Sequence, residues 1–278
     1  MDVSVKDMKV EKLYPEIKEM GFDGIDVSFP TLDRLSDGFE DDFLKKCQAI
    51  KAAGLRVCQT HLTYYPAHLP PLGDYQAFEE QILPHLLKEI ELVALVGCPV
   101  AVVHLFFEES RENSRLGNLR LLKALLPTLE KHGVVLAIEN IYSIGCGEAH
   151  LTTAEDLMYY TDHFQSPYLG VCLDTGHAVS RNQDPLEMLA RLGTRVKALH
   201  LHSNVSGRDL HLPPIMTGSL KWKKFYDTLV EIGYAGAFNM EIIAPRQMNL
   251  KTALAYYRMA LCVAQGLIEN DAESWTVG

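Results

Sequence analysis

Ionisable side chains stand at the ends of short apolar runs along this chain: His61, His104, Glu139, Asp174, His200 and Glu241, with His177 one turn beyond Asp174. Carboxylates and imidazoles gathered at one place would repel one another or suffer desolvation unless a cation neutralised them. Glu139, Asp174 and Glu241 with His200 form a hard, oxygen-rich donor set suited to a divalent metal such as Mn, Mg or Co. The surplus histidines also admit Zn.

Each residue has a plainer reading. A polar residue ending a strand is often a helix cap or a hydrogen-bonded loop group. Glu139, in Ala137-Ile138-Glu139-Asn140, closes an apolar run and is a poor N-cap, which favours ligation. Asp174 could cap the turn after it, but its pairing with His177 favours ligation as well. Glu241 follows Phe238-Asn239-Met240 in the manner of Glu139. His200 and His202 alternate, so on a strand both point to one side; either could be the ligand, and His200 is preferred. Asp209 and His211 form a second alternating pair that could hold another cation, orient substrate, or make a solvated turn. His61 beside Tyr64 and Tyr65, and His104 beside Phe106 and Phe107, could be site groups or pocket wall. His68, His85, His132, His150 and His163 read as solvated.

These residues need a scaffold that brings strand ends together, and the sequence repeats one phrase that would do so. A helical stretch is followed by Gly and by a run of apolar residues that closes on a polar one. It occurs at 21–28, 54–61, 97–104, 133–139, 193–200 and 233–241, with a variant at 168–174. Gly ends a helix readily because it takes a left-handed conformation without a Cβ clash. The apolar runs are rich in Val, Ile and Leu, as parallel strands buried on both faces are. With Val3–Val5 as the first strand, the count reaches eight. Between strands the apolar period is near 3.6, as at Phe43, Cys47 and Ile50, with caps at Thr152 or Thr153 and at Asp184 before Pro185.

The pattern predicts an α/β fold, a single (β/α)8 TIM barrel spanning 1–278, with a last helix at 250–268 and a polar tail at 269–278. An open doubly wound sheet is the alternative, disfavoured because no Gly-rich phosphate fingerprint follows the first strand. In such barrels the chemistry sits at the C-terminal ends of the strands.

Composition narrows the partners. Hydrophobic residues make up 47% and charged ones 22%, the profile of a soluble globular protein, and no apolar run is long enough for a membrane helix. The N-terminal residues carry no secretory pattern, so a cytoplasmic protein is expected. Six scattered cysteines without a C-x-x-C pair read as reduced, packed thiols. A formal charge of −10 weighs against a nucleic-acid partner. Tyr256, Tyr257, Met259 and Leu261 on the last helix could pack on the barrel or build a homo-oligomer.

Taken in order, Ala137–Asn140, Leu169–His177, Leu199–His202 with Asp209–Pro213, and Asn239–Ile242 resemble the xylose-isomerase-like barrel superfamily. This holds sugar and sugar-phosphate isomerases and epimerases beside endonuclease-IV-type apurinic endonucleases. The resemblance implies a metal quartet at Glu139, Asp174, His200 and Glu241; the endonuclease members' wider set would add His61, His104, His177, Asp209 and His211. Residues 213–218 depart from the Gly-x-Gly turn of many relatives, with Met216 in its place.

The isomerase branch implies a sugar or sugar-phosphate substrate, with Glu139 and Glu241 as bases for a proton next to a carbonyl and a metal-stabilised enediolate. His177 with Arg208 or Arg246 could hold hydroxyl or phosphate groups, and the proline-rich segment 62–75 could form a wall or lid. The endonuclease branch implies a Zn phosphoesterase cutting abasic DNA, which the acidic charge disfavours. A binding module that has lost catalysis is the third reading, disfavoured because the quartet is complete.

Overall fold

The computed structural model describes residues 13–31, 38–64, 75–108, 110–142, 151–214, 216–217, 220–245 and 247–268. Six strands, β1 (Gly24–Ser28), β2 (Arg56–His61), β3 (Val100–Val103), β4 (Val135–Glu139), β5 (Leu169–Asp174) and β6 (Val196–His200), pair in chain order. All five pairings are parallel. The sheet curls until β3 and β4 touch β6 across its interior. The expected first strand, Val3–Val5, and the tail 269–278 lie outside the described residues.

The helices return the chain over the outside of the sheet: α1 (Tyr14–Met20), α2 (Phe39–Ala52), α3 (Tyr75–Gln81), α4 (Leu83–Leu95), α5 (Arg111–His132), α6 (Ala154–Phe164), α7 (Thr175–Ser180), α8 (Pro185–Leu192), α9 (Trp222–Glu231) and α10 (Leu250–Ile268). Phe43, Cys47 and Ile50 of α2 are buried, as their spacing predicts. Thr153 rather than Thr152 caps α6, accepting from Asp156 N at 3.2 Å, and Asp184 caps α8 through Leu186 N at 2.8 Å. Gly133 ends α5 at φ 68°, a left-handed turn that costs a residue with a Cβ more than it costs glycine. On α10, Tyr257 is buried against the barrel, whereas Met259 is exposed.

The run at 233–241 does not form the full strand expected of it. It contributes one parallel bridge, Leu201 to Met240, with Leu201 N donating to Asn239 O at 2.9 Å and Glu241 N to Leu201 O at 3.2 Å. Residues 235–237 are Ala-Gly-Ala, which offer little side chain to pack on a pleated surface. Asn239 Nδ2 nevertheless donates to Asp26 Oδ2 of β1 at 2.9 Å, so the two ends of the curled sheet meet.

Alternation along the strands separates two environments. Leu136, Ile138, Val171, Leu173 and Leu199 face the helices, while Val100, Val102, Ala137, Cys172 and Ala198 pack inside the sheet. Two residues further along the same inner side come His104, Glu139, Asp174 and His200. The period of two therefore lifts each ionisable group off an apolar floor.

Candidate functional site

His200 is the hub. Its Nδ1 lies 3.1 Å from Glu139 Oε1, 3.2 Å from Glu241 Oε2 and 3.8 Å from Asp174 Oδ2. The four residues offer ligand atoms all within 4.8 Å of one another. Glu139, Asp174 and His200 are at most 1% exposed. His200 Nδ1 and Glu241 Oε2 face each other, buried, without a hydrogen-bond partner. Such orphaned atoms are costly in a folded protein, and a cation shared between them would satisfy both. The quartet thus fits a divalent ion.

Asp174 combines the two roles that sequence reasoning set against each other. Its Oδ1 accepts from His177 N at 2.5 Å, capping α7, while Oδ2 faces His202 Nε2 at 3.0 Å. Asn140 clamps the backbone of Asp174 from both sides, with Nδ2 to its O and Oδ1 to its N, each at 2.8 Å.

The remaining histidines form two flanking groups. His61 Nε2 and His104 Nε2 approach Glu139 Oε2 at 3.2 and 2.9 Å. On the other side His177, His202, Asp209 and His211 gather their ligand atoms within 4.8 Å. The loop after β6 folds back through mutual Ser203 and Leu212 backbone bonds, and Asn204 Nδ2 holds Asp209 Oδ1 at 3.0 Å. His211 takes φ 47°, a left-handed conformation unusual for a residue with a side chain.

Tautomers follow from these partners. A backbone carbonyl only accepts, so the nitrogen facing it carries a proton. His61 Nδ1 donates to Leu62 O at 2.8 Å, His177 Nδ1 to Asn140 O at 3.0 Å and His211 Nδ1 to Glu241 O at 3.0 Å. Each then turns Nε2 toward a carboxylate: His61 to Glu139, and His177 and His211 to Asp209 at 3.5 and 3.1 Å. Those nitrogens must carry a second proton or share a cation, which is the usual posture of a ligating histidine.

The charges respond accordingly. Burial pushes the Glu139 carboxyl up, but the imidazoles of His200 and His104 outweigh it and hold the group well below its ordinary range. Glu241 is raised, by burial first and by Glu139 and Asp174 beside it, with His200 opposing. Burial would lower His211, yet its bond to Asp209 and the charge of Glu241 lift it to about 9. His200 is likewise raised against the effect of burial, through the carboxylates of Glu139 and Glu241 and through Asp26. The carboxylates attract positive charge, whether protons or a metal.

A family model described as a xylose isomerase-like TIM barrel matches residues 15–260. The chain belongs to that family. Among relatives of this xylose isomerase-like barrel, an uncharacterized protein, y4fM, of Sinorhizobium fredii is 26% identical over 226 residues, covering 75% of this chain and 70% of that one. D-psicose 3-epimerase of Enterocloster bolteae is 25% identical over 199 residues, covering 70% of this chain and 63% of the epimerase. Probable endonuclease 4 of Mesomycoplasma hyopneumoniae is 28% identical over 130 residues, 44% of this chain and 46% of that one. Among solved structures, 3-keto-D-glucoside 4-epimerase from E. coli matches at a TM-score of 0.71 and 19% identity, covering 95% of this chain and 97% of that chain.

Other expected site residues separate from the cluster. Tyr64 packs beside the cluster, its ring 4.3 Å from that of His61 and 4.8 Å from that of His104. Tyr65 and the rest of the proline-rich segment through residue 74 lie outside the described residues, as does Arg246. Arg208 is exposed on the loop, where its carbonyl accepts from Ser180 Oγ; its guanidinium makes no hydrogen bond or ion pair with the cluster among the described residues. Met216 is exposed. Cys172 is more than a packed thiol, because its sulfur lies within ligand reach of Glu139 and His200, although burial pushes the thiol up and keeps it protonated.

Sequence reasoning passed over Asp26, Gln59 and Asn239, which form a buried polar layer under His200. Gln59 Nε2 donates to Asp26 Oδ2 at 2.8 Å, from the side opposite Asn239. The available signal was a polar residue in the middle of an apolar run rather than at its end.

Proposed function

We propose that this barrel is a cytoplasmic, divalent-metal-dependent enzyme that isomerises or epimerises a sugar or sugar phosphate by moving a proton at a carbon next to a carbonyl. The observation that carries the reading is the pair of glutamates meeting at His200 Nδ1, Glu139 at 3.1 Å and Glu241 at 3.2 Å, with Asp174 completing the donor set. The likeness to a D-psicose 3-epimerase supports the substrate class.

Glu139, Asp174, His200 and Glu241 would hold the ion, which when bound supplies Lewis acidity toward a carbonyl and an adjacent hydroxyl oxygen. Glu241, raised by burial, holds a proton more readily than Glu139, and an acid or base works best when its pKa approaches the working pH. To invert a carbon, Glu139, held as an anion, removes the proton, and Glu241, raised so that it can carry one, delivers a proton to the opposite face; the reverse reaction exchanges the roles. To isomerise, one carboxylate takes the proton and returns it to the neighbouring carbon while the hydroxyl proton passes to the former carbonyl oxygen. Tyr64, its ring packed at a tilt against that of His61, offers an aromatic wall for the sugar and keeps water from the reacting carbon.

The test is NMR of ketoses and ketose phosphates incubated with the Mn-loaded protein in D2O. Deuterium entering at the carbon beside the carbonyl is expected. A metal-loaded protein that exchanges no substrate in the panel overturns the reading.

One observation favours a second reading. The flanking groups His61–His104–Glu139 and His177–His202–Asp209–His211 adjoin the quartet, and all five of their histidines point Nε2 at carboxylates. Such an array suits a multinuclear Zn phosphoesterase acting on abasic DNA, with water activated between ions. The net charge of −10 opposes it by repelling the phosphate backbone. Incision of an abasic duplex by the Zn-loaded protein decides in its favour.

A further inference from the structure

Beneath the quartet, Asp26 of β1 is a buried carboxylate whose ion-pair partner among the described residues is His200. Its Oδ2 accepts from Gln59 Nε2 at 2.8 Å and from Asn239 Nδ2 at 2.9 Å, and it faces His200 Nε2 at 3.5 Å. Asp26 Oδ1 and His200 Nε2 are both buried without a hydrogen-bond partner. The opposite nitrogen of the same ring, Nδ1, points at Glu139, Glu241 and Asp174. The imidazole therefore bridges two layers of carboxylate, one above and one below.

We propose that Asp26 is a positioning residue that fixes the His200 ring and its tautomer, keeping the proton on Nε2 so that Nδ1 presents a lone pair to a cation in the quartet. The reasoning rests on the metal reading above. An ionised carboxylate can only accept, so the ring nitrogen facing it must donate. Gln59 and Asn239 anchor Asp26 through their amide N–H groups, one from β2 and one from the segment beside β6, which aims the carboxylate at the ring. Ligating histidines commonly use a carboxylate in this way to set orientation and basicity, and loss of that partner weakens metal binding about 10- to 100-fold.

Asp26→Asn preserves shape but introduces an amide N–H group among donors. Gln59, Asn239 and His200 then compete for one remaining acceptor, and the ring is driven toward the tautomer with its proton on Nδ1, where the cation must sit. The experiment titrates Co2+ alone into wild type and Asp26→Asn, followed by visible absorption, with far-UV circular dichroism as the check on folding. Wild type is expected to bind Co2+ and the folded variant to bind it about 10- to 100-fold more weakly. Equal affinity in the folded variant overturns the role of Asp26 while leaving the metal reading intact. A wild type that binds no Co2+ overturns both.

Should the variant fail to fold, 15N NMR of the Zn-loaded wild type decides. A proton on His200 Nε2 with Nδ1 as ligand supports the proposal. Ligation through Nε2 with a proton on Nδ1 overturns it.

Discussion

Glu139 turns Oε1 to His200 Nδ1 at 3.1 Å and keeps Oε2 for His104 Nε2 at 2.9 Å, so a single carboxylate belongs to two ligand groups. Its loss should be felt on both sides of the site. Glu139→Gln is expected to retain the fold and to lower turnover by about 10²- to 10⁴-fold, the usual worth of a positioned acid or base. It should also lower metal content, read by atomic emission. A folded variant with full activity would sink the mechanism.

The flanking histidines discriminate between one ion and several. With a single ion in the quartet, His104→Ala and His211→Ala each leave metal stoichiometry unchanged and act on KM through the pocket wall. Loss of one ion from a multinuclear wild type in either variant would move the protein to the phosphoesterase reading.

Removal of metal is the broadest test. A chelated sample should lose activity and recover it with a divalent ion. Because a ligand that binds only the folded state stabilises it by about 2.7 kcal/mol at a hundredfold excess over Kd, Tm should fall on chelation and rise on reloading. Activity and Tm both indifferent to chelation contradict the metal.

Gly176 lies against the ring of His202, and a methyl group there would overlap the imidazole. Gly176→Ala should push His202 away from Asp174 Oδ2, which it now meets at 3.0 Å, and weaken Co2+ binding. Replacement of His202 by Ala in the same chain should relieve the crowding, measurable as recovered thermal stability. No change in Co2+ affinity on Gly176→Ala would show that His202 does not support Asp174.

Glu89 of α4 gives a pH dependence outside the cluster. It is buried, accepts from Thr63 N at 3.0 Å and from Thr63 Oγ1, and burial pushes its carboxyl up to about 7. The folded state therefore holds this proton more tightly than the unfolded chain. Its contribution is complete below the ordinary carboxyl range of about 4.3 and is lost as pH rises toward the folded value, levelling above it. Glu89→Gln, whose amide can serve both Thr63 groups, should gain relative to wild type between pH 5 and pH 8, by at most about 3 kcal/mol at 1.36 kcal/mol for each pH unit. Parallel urea-denaturation curves across that range would refute it.

Much of this was legible because strands and helices write their periods into the chain. The glycine-led repeat located β1 to β6, and alternation placed Glu139, Asp174 and His200 on the inner side of their strands. The run at 233–241 misled because strand pairing depends on a neighbour as well as on a pattern, and its Ala-Gly-Ala stretch packs too little to hold more than one bridge.

By itself the sequence determined the barrel and the set of ionisable groups at its mouth, since both follow from local periodicity and from what each residue type can donate. Only the tertiary structure decided how those groups face one another. Which imidazole nitrogen meets a carbonyl, which oxygen of Glu139 goes to which histidine, and the place of Asp26 under His200 depend on contacts between strands far apart in the chain. Hydrogen-bond direction is a property of facing atoms, and facing atoms are set by packing rather than by spacing.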